Sequence, residues 1–158
     1  MSPPGDRTPY CGGSILTSRH ILTAGHCTFD GYLNDIMQPS SMEVLVGEHD
    51  VNDEDDMMTR HEISAIRNHP KFDFNSGDYD FSILILTAPI APFPSSVAAP
   101  ICLPASVSSL FTGRLAKVIG WGDTSADGDP ASVLQEVDVT VMSNQECSQY
   151  YAAGKIKE

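Results

Sequence analysis

Apolar residues in this chain occur in short runs that turn-forming segments interrupt, without the long stripes typical of a helical bundle. Short runs bounded by turn formers predict β-strands. The clearest run is Val137-Asp138-Val139-Thr140-Val141, because its strict alternation suits a strand with one buried face. The twelve glycines and eleven prolines agree with many turns. We therefore predict an all-β fold with strands over Ser14–Thr17, Ile21–Ala24, Val44–Val46, Glu62–Arg67, Ser82–Leu86, Arg114–Trp121 and Val133–Val141, and a single helix over Ser143–Ala153 with Ser143 or Asn144 as its N-cap.

A proline-rich stretch divides the chain into two parts. The segment from Ala88 to Pro104 contains five of the eleven prolines and no charged residue. This composition suits an extended connector between two packed units. We predict a first unit over residues 1–88, a connector over 89–112 and a second unit over 113–158.

The composition argues against two classes of partner. A formal net charge of −12, from 21 acidic and 9 basic residues, would repel the phosphates of nucleic acids and anionic lipid surfaces. The longest apolar stretch, Ile83–Ile90, is interrupted by Pro89 and is too short to span a bilayer. We therefore expect no nucleic-acid partner and no membrane segment.

The cysteines indicate disulfides. None of the four lies in a Cys-x-x-Cys pair, which makes a zinc or redox site less favoured. Disulfides imply an oxidising compartment, whereas the first residues, Met1–Arg7, lack the apolar region of a signal peptide. Three complete pairings are open, and spacing alone does not choose among Cys11, Cys27, Cys102 and Cys147.

The segment Cys11–Cys27 reads CGGSILTSRHILTAGHC. It closely resembles the pattern around the general base of trypsin- and chymotrypsin-like serine peptidases, and by this resemblance His26 is the catalytic base. Two strand-like runs joined by a polar turn would bring Cys11 near Cys27, and a disulfide here would contribute ~3 kcal/mol and hold His26 in place. Gly25 departs from the family, which usually has alanine here, and we expect it to give the backbone more freedom beside the base.

A second segment, Gly77–Leu86, resembles the part of the same family in which an aspartate orients the base. By this match Asp80 holds the tautomer of the His26 ring and stabilises the imidazolium that forms during the reaction. Asp78 is the local alternative. We prefer Asp80 because the aliphatic strand of the family begins directly after the functional aspartate, as Phe81 follows Asp80 here.

Two further matches extend the resemblance over nearly the whole chain. Pro100–Pro104 and Val118–Gly122 resemble the connector and an early strand of the second barrel of the family. The resemblance implies a chymotrypsin-like double β-barrel, with most of the N-terminal barrel in residues 1–88 and the first part of the C-terminal barrel in residues 113–158.

The nucleophile of the family does not occur in these residues. It lies in a Gly-Asp-Ser-Gly-Gly segment after the aspartate, and no such segment is present. None of the ten residues before Cys11 matches the Ile-Val-Gly-Gly-like start of the activated family chain. We therefore expect a partial domain, incomplete at both ends and inactive as it stands. The resemblance also implies that Cys147 pairs downstream and that Cys102 pairs with an upstream pro-segment or light chain.

For the intact parent, the resemblance implies a secreted zymogen that cleaves protein or peptide substrates through an acyl-enzyme and requires no cofactor. The alternative is a non-catalytic homologue that serves as a binding or regulatory module. Such homologues typically lose one catalytic residue, whereas here strands and disulfide partners are absent together with the serine. This pattern favours the active endopeptidase.

The acidic segment 47–56 resembles the calcium loop of trypsin-like members. Hard cations require several oxygen ligands at once. Met57 and Met58 lie near the place of the closing glutamate of the family, so the sequence favours the alternative, a solvated acidic loop. The candidate ligands of a structural calcium ion are Glu48, Asp50, Asp53 and Asp55, with Asp56 beside them.

Overall fold

The computed structural model describes residues 1–53, 57–106, 111–126 and 128–151. Within these residues the regular secondary structure is almost entirely β-strand, which confirms the all-β prediction. The chain divides into two compact units between Cys102 and Leu103, inside the predicted connector. The strands are β1 (Ser14–Thr17), β2 (His20–Thr23), β3 (Phe29–Asp30), β4 (Asp35–Ile36), β5 (Glu43–Val46), β6 (Thr59–Asn68), β7 (Ser82–Leu86), β8 (Leu115–Gly120) and β9 (Gln135–Thr140), and the helix α1 covers Asn144–Cys147.

The main sheet of the first unit has the strand order β1-β2-β7-β6-β5 among the residues described, and all its neighbours are antiparallel. Strand β6 belongs to both halves of this sheet. Its residues up to Glu62 pair with β5, whereas its residues from Ile63 onward pair with β7. The register shifts between Ile63 and Ala65, and such a bulge bends a strand. The sheet therefore curls around β6 as part of a barrel.

The core of the first unit lies on the inner face of this curled sheet. Side chains of β7 alternate between buried and partly buried, as the period of a strand requires. Leu84 and Leu86 are completely buried, and each contributes about 2 kcal/mol through removal of apolar surface from water. Residues outside the strands, such as Met1, Met42 and Ile90, are also buried there, and other strands contribute Ile21, Val44, Val46, Ile63 and Ile66.

The second unit is smaller and its hairpin is poorly covered. Strands β8 and β9 pair antiparallel, with Val118 opposite Val137. Their apolar side chains remain exposed, including Leu115 at 73% and Ile119 at 65%. After β9, Ser143 and Glu146 form a capping box at the start of α1, which confirms Ser143 as the N-cap.

No helix among the residues that the structure describes has the length and apolar composition needed to cross a bilayer.

Candidate active site

The strand register places the predicted base next to the predicted orienting carboxylate. Strands β2 and β7 are antiparallel, and the last residue of β2, Thr23, lies opposite the first residue of β7, Ser82. His26 follows Thr23 by three residues, and Asp80 precedes Ser82 by two residues. Antiparallel pairing brings the end of one strand to the start of its partner, so the two segments meet at the same edge of the sheet.

Two hydrogen bonds join His26 to Asp80. The ring Nδ1 of His26 lies 2.7 Å from Oδ2 of Asp80, and the backbone N–H of His26 donates to Oδ1 at 2.8 Å. Both carboxylate oxygens are therefore engaged by one residue, which fixes the carboxylate as well as the ring. The His26 side chain is 56% exposed and that of Asp80 is 30% exposed, so the pair lies at the surface.

The environment of Asp80 favours its ionised form. Partial burial acts to raise the pKa of Asp80, but hydrogen bonds from the ring and backbone of His26, the charge of His26 and the backbone N–H of Gly25 outweigh it and lower the pKa. An ionised carboxylate only accepts hydrogen bonds. The proton of a neutral His26 therefore resides on Nδ1, which leaves the lone pair of Nε2 available to accept a proton.

A disulfide holds the turn that carries His26. Cys11 and Cys27 are bonded, with 6.1 Å between their Cα atoms, as the sequence predicts. The bond joins the segment before β1 to the short 3₁₀ turn His26–Thr28. The hydroxyl of the buried Thr28 donates to the carbonyl oxygen of Gly25 at 2.8 Å, which closes the turn from within. The backbone of His26 is thus fixed on both sides.

Gly25 has a role different from the one the sequence suggests. Its backbone angles, φ −64° and ψ −40°, are available to every residue type, so no extra freedom is used. A Cβ atom on Gly25 would instead lie 2.9 Å from Cδ2 of Phe72. The ring of Phe72 also packs edge-on against Phe29, with 5.8 Å between centroids. The glycine therefore makes room for Phe72.

Phe72 is a contact residue of the site that sequence reasoning missed. It lies in the loop between β6 and β7 that leads to Asp80, and it packs on the residue that precedes His26. A side chain from the loop that leads to Asp80 thus lies against the residue that precedes His26. The available signal was the coincidence of Gly25 in place of alanine with an aromatic residue in the Asp80 loop.

Three rings of the same loop pack on one another, and two of them flank Asp80 in the sequence. The rings of His69 and Tyr79 are 4.6 Å apart and nearly parallel, and Phe81 packs against His69 at 4.7 Å. The Nζ atom of Lys71 lies 5.5 Å from the centre of the Tyr79 ring. These contacts brace the residues on either side of Asp80.

Nε2 of His26 has no nucleophile beside it in the described residues of the first unit. Nε2 lies 3.5 Å from Sγ of Cys27, which is a disulfide sulfur without a proton. Cys11, His26 and Cys27 bring their ligand atoms within 4.8 Å of one another, but the disulfide removes the thiolates that a metal would need. Cys102 and Cys147 carry no disulfide among the residues that are described.

An arginine side chain binds the acidic loop in the described residues. The guanidinium of Arg7 binds the carboxylate of Glu48. Arg7 also donates to the main-chain carbonyl oxygens of Asp50 and Asp53. In the described parts of the chain, these acidic residues do not form a cluster of three ligand groups. Asp55, the fourth candidate, and Asp56 lie outside the described residues.

Comparisons with known proteins match nearly the whole chain to one family. The family model described as Trypsin matches residues 4–158. Trypsin-1 of Astacus astacus is 37% identical over 93% of this chain and 59% of its own length. Serine proteinase stubble of Drosophila melanogaster is 36% identical over 94% of this chain and 18% of its own length.

A relative that is named as an inhibitor has about the same sequence identity to this chain as these two proteins. Glucanase inhibitor protein 2 of Phytophthora infestans is 38% identical over 94% of this chain and 53% of its own length. The chain therefore spans about three fifths or less of each of these three relatives. The family model agrees with the matched motifs, with the curled antiparallel sheet and with the contact between His26 and Asp80. The chain therefore belongs to the trypsin family.

Proposed function

We propose that the full-length protein containing this chain is a secreted serine endopeptidase in which His26 is the general base and Asp80 orients it. The proposal rests on one observation above all, the Nδ1 to Oδ2 distance of 2.7 Å in a pair whose carboxylate also binds the backbone of His26. This geometry selects one tautomer and one ring orientation, which a base requires.

The residues would act in two steps. The lone pair of Nε2 takes the proton of a serine hydroxyl while the serine oxygen attacks the scissile carbonyl carbon, and Asp80 stabilises the imidazolium that results. The imidazolium then gives this proton to the leaving amine, so that an acyl-enzyme forms. Water hydrolyses the acyl-enzyme by the same sequence, with His26 again as base.

These 158 residues contain no Gly-Asp-Ser-Gly-Gly segment. Acyl transfer requires a nucleophile and oxyanion-stabilising donors in addition to the base. We therefore propose that these residues alone have no peptidase activity. The substrates would be proteins or peptides, and a disulfide from Cys102 to another segment of the full-length protein belongs to the same proposal.

A second candidate is a non-catalytic homologue that binds a partner protein. The observation in its favour is the similarity to glucanase inhibitor protein 2, which is named for inhibition rather than for proteolysis. In such a protein the His26 and Asp80 pair would be a structural remnant, and the exposed surface of the trypsin-like fold would provide the binding site.

The decisive experiment starts with sequencing the full-length transcript and expressing its product. A fluorophosphonate probe labels an activated serine, and peptide hydrolysis gives the turnover rate. We expect Asp80→Asn to lower kcat on the order of 10⁴-fold, because the amide no longer favours the Nδ1–H tautomer. Asp78→Asn is the matched control, since it removes a carboxylate from the same loop and should leave the turnover rate unchanged.

The outcomes separate the two candidates. A secretory signal, a Gly-Asp-Ser-Gly-Gly segment and labelling that depends on His26 and Asp80 support the endopeptidase. Equal rates in the two asparagine variants would contradict the role of Asp80. A full-length product without the serine segment, without labelling and with a stable protein partner would favour the binding homologue.

A further inference from the structure

The side chain of Arg7 lies at the centre of the acidic loop that follows β5. Its Nε and Nη2 atoms donate to the two carboxylate oxygens of Glu48 at 3.2 and 2.7 Å. Nη2 also reaches the carbonyl oxygen of Asp50 at 3.3 Å, and Nη1 donates to the carbonyl oxygen of Asp53. Within the part of the loop that the structure describes, one guanidinium therefore binds four oxygen atoms from three residues.

The partner carboxylate is deeply buried. The side chain of Glu48 is only 3% exposed, and that of Arg7 is 19% exposed. A buried carboxylate is costly unless a cation and hydrogen bonds compensate it. Arg7 supplies both, because its planar fork matches a carboxylate in two-point contact.

The loop is shaped to gather oxygen atoms around a cation. Gly47 directly follows β5 and has φ +82°, a left-handed conformation that side chains disfavour. The residues after it then direct one carboxylate and two carbonyl oxygens to the same point. Carboxylate and carbonyl oxygens are also the ligands of hard cations such as calcium, but in this arrangement the guanidinium already occupies the point where they converge.

We infer that Arg7 is a built-in cation that takes the place of a calcium ion and makes the fold of the loop Gly47–Asp53 independent of metal. The oxygen set does not fit a calcium ion while Arg7 is in place, because the same atoms would have to bind both. The contact also ties the segment before β1 to the loop after β5, which lies 41 residues away along the chain. This inference concerns stability and stands apart from the proposed peptidase function.

The test measures the midpoint of thermal unfolding of the whole chain in a chelator and in calcium, whose concentration is raised in 10-fold steps to the millimolar range. We expect the midpoint of the unmodified chain to be the same under all conditions. Arg7→Ala leaves the buried Glu48 without its cation, so its midpoint should fall by about 10 °C or more in chelator. Calcium should then restore part of the loss, with a dissociation constant of about 10⁻⁴–10⁻³ M by calorimetry.

Two further variants make the result specific. Arg60→Ala is the matched control, because Arg60 binds Glu43 and the carbonyl oxygen of Asp6 outside the loop. Its midpoint should not respond to calcium. Adding Glu48→Gln to Arg7→Ala should weaken the calcium response several-fold, since it neutralises the buried carboxylate that Arg7 binds.

Two results would overturn the inference. One is a calcium-dependent rise in the midpoint of the unmodified chain, which would mean that the metal and Arg7 do not compete. The other is an Arg7→Ala chain that loses no more stability than Arg60→Ala and binds no calcium. If Arg7→Ala does not fold in chelator, refolding in millimolar calcium is the expected rescue, and failure of that rescue counts against the inference.

Discussion

Asp80 accepts hydrogen bonds from both the ring and the backbone of His26, and this has a consequence for the pH dependence of stability. Because these contacts lower the pKa of Asp80 in the folded chain, the stabilisation is fully present above the unfolded value of about 3.9 and is lost as the pH falls through the folded value. We expect Asp80→Asn to reduce the free energy of unfolding by about 1–2 kcal/mol at pH 7. The difference from the unmodified chain should shrink toward pH 3. Denaturant unfolding at several pH values measures it.

The control for this pH series is Asp35→Asn, which changes an exposed carboxylate that accepts a hydrogen bond from the backbone N–H of Ile36. Its stability should follow that of the unmodified chain at every pH. A constant difference between Asp80→Asn and the unmodified chain from pH 7 to pH 3 would show that ionised Asp80 does not stabilise the fold.

Gly25 and Phe72 form a pair that a double-mutant cycle can isolate. A Cβ on Gly25 would lie 2.9 Å from the ring of Phe72, and we expect Gly25→Ala to cost about 1–3 kcal/mol because the ring must shift. In a Phe72→Ala background the same substitution should cost nothing or stabilise the turn slightly, since the space is then open. Unfolding free energies of the four chains measure the coupling. Additive costs would mean that the two residues do not constrain each other.

At the scale of elements, the disulfide is the strongest single constraint on the turn that carries His26. Cys11 and Cys27 are separated by 16 positions, and a loop of about this length contributes roughly 3 kcal/mol by restricting the unfolded chain. We expect a chain with both Cys11→Ser and Cys27→Ser to lose about that much in denaturant unfolding. Cys102→Ser is the control, because Cys102 is exposed and unbonded in the described residues, and its stability should not change. An unchanged midpoint in the double variant would contradict this role.

The strands were predictable where local pattern and burial coincide. Strands β1 and β7 have the predicted bounds, because apolar runs end there at polar or turn-forming residues. Strand β6 begins three residues earlier than predicted, at Thr59, since pairing with β5 rather than an apolar pattern extends it. Strands β3 and β4 were missed, because each has only two residues and carries no period. The predicted helix was too long, because α1 ends at Cys147, and the last two residues of the prediction, 152 and 153, lie outside the described residues.

Only those residues of the candidate site that lie in short sequence motifs could be predicted. His26, Asp80 and the Cys11–Cys27 pairing follow from short segments that resemble the family, and the structure brings His26 and Asp80 into contact. The contacts of Phe72 on Gly25 and of Arg7 on Glu48 join residues more than 40 positions apart. No periodicity or local propensity reports such contacts, because they depend on how the sheet curls.

At the scale of the whole molecule, the two units differ in how well they cover their apolar residues. The first unit has a contiguous core that contains completely buried leucines. In the second unit every described residue of β9 is exposed, and the valines and isoleucine of the hairpin are largely accessible. Contiguous exposed apolar surface promotes association, whereas isolated exposed apolar side chains are common in soluble proteins.

This difference predicts concentration-dependent association of the chain through the β8–β9 hairpin. Val118 and Val137 are direct cross-strand neighbours that are 55% and 57% exposed. Replacing them together, Val118→Lys with Val137→Glu, keeps the net charge and places opposite charges across the pair, which is compatible with the strands. We expect the associated fraction in sedimentation and the binding of an apolar dye to fall several-fold.

The matched control introduces the same two charged residue types into the first unit. Tyr32→Lys with Leu33→Glu also exchanges two exposed apolar residues for one charge of each sign, but these residues lie in the turn between β3 and β4. Because this turn offers no sheet face or long strand edge, association should remain as in the unmodified chain. An equal reduction by both double variants would assign association to general surface hydrophobicity. Unchanged association in the hairpin variant would show that the open face of β8 and β9 is not the contact surface.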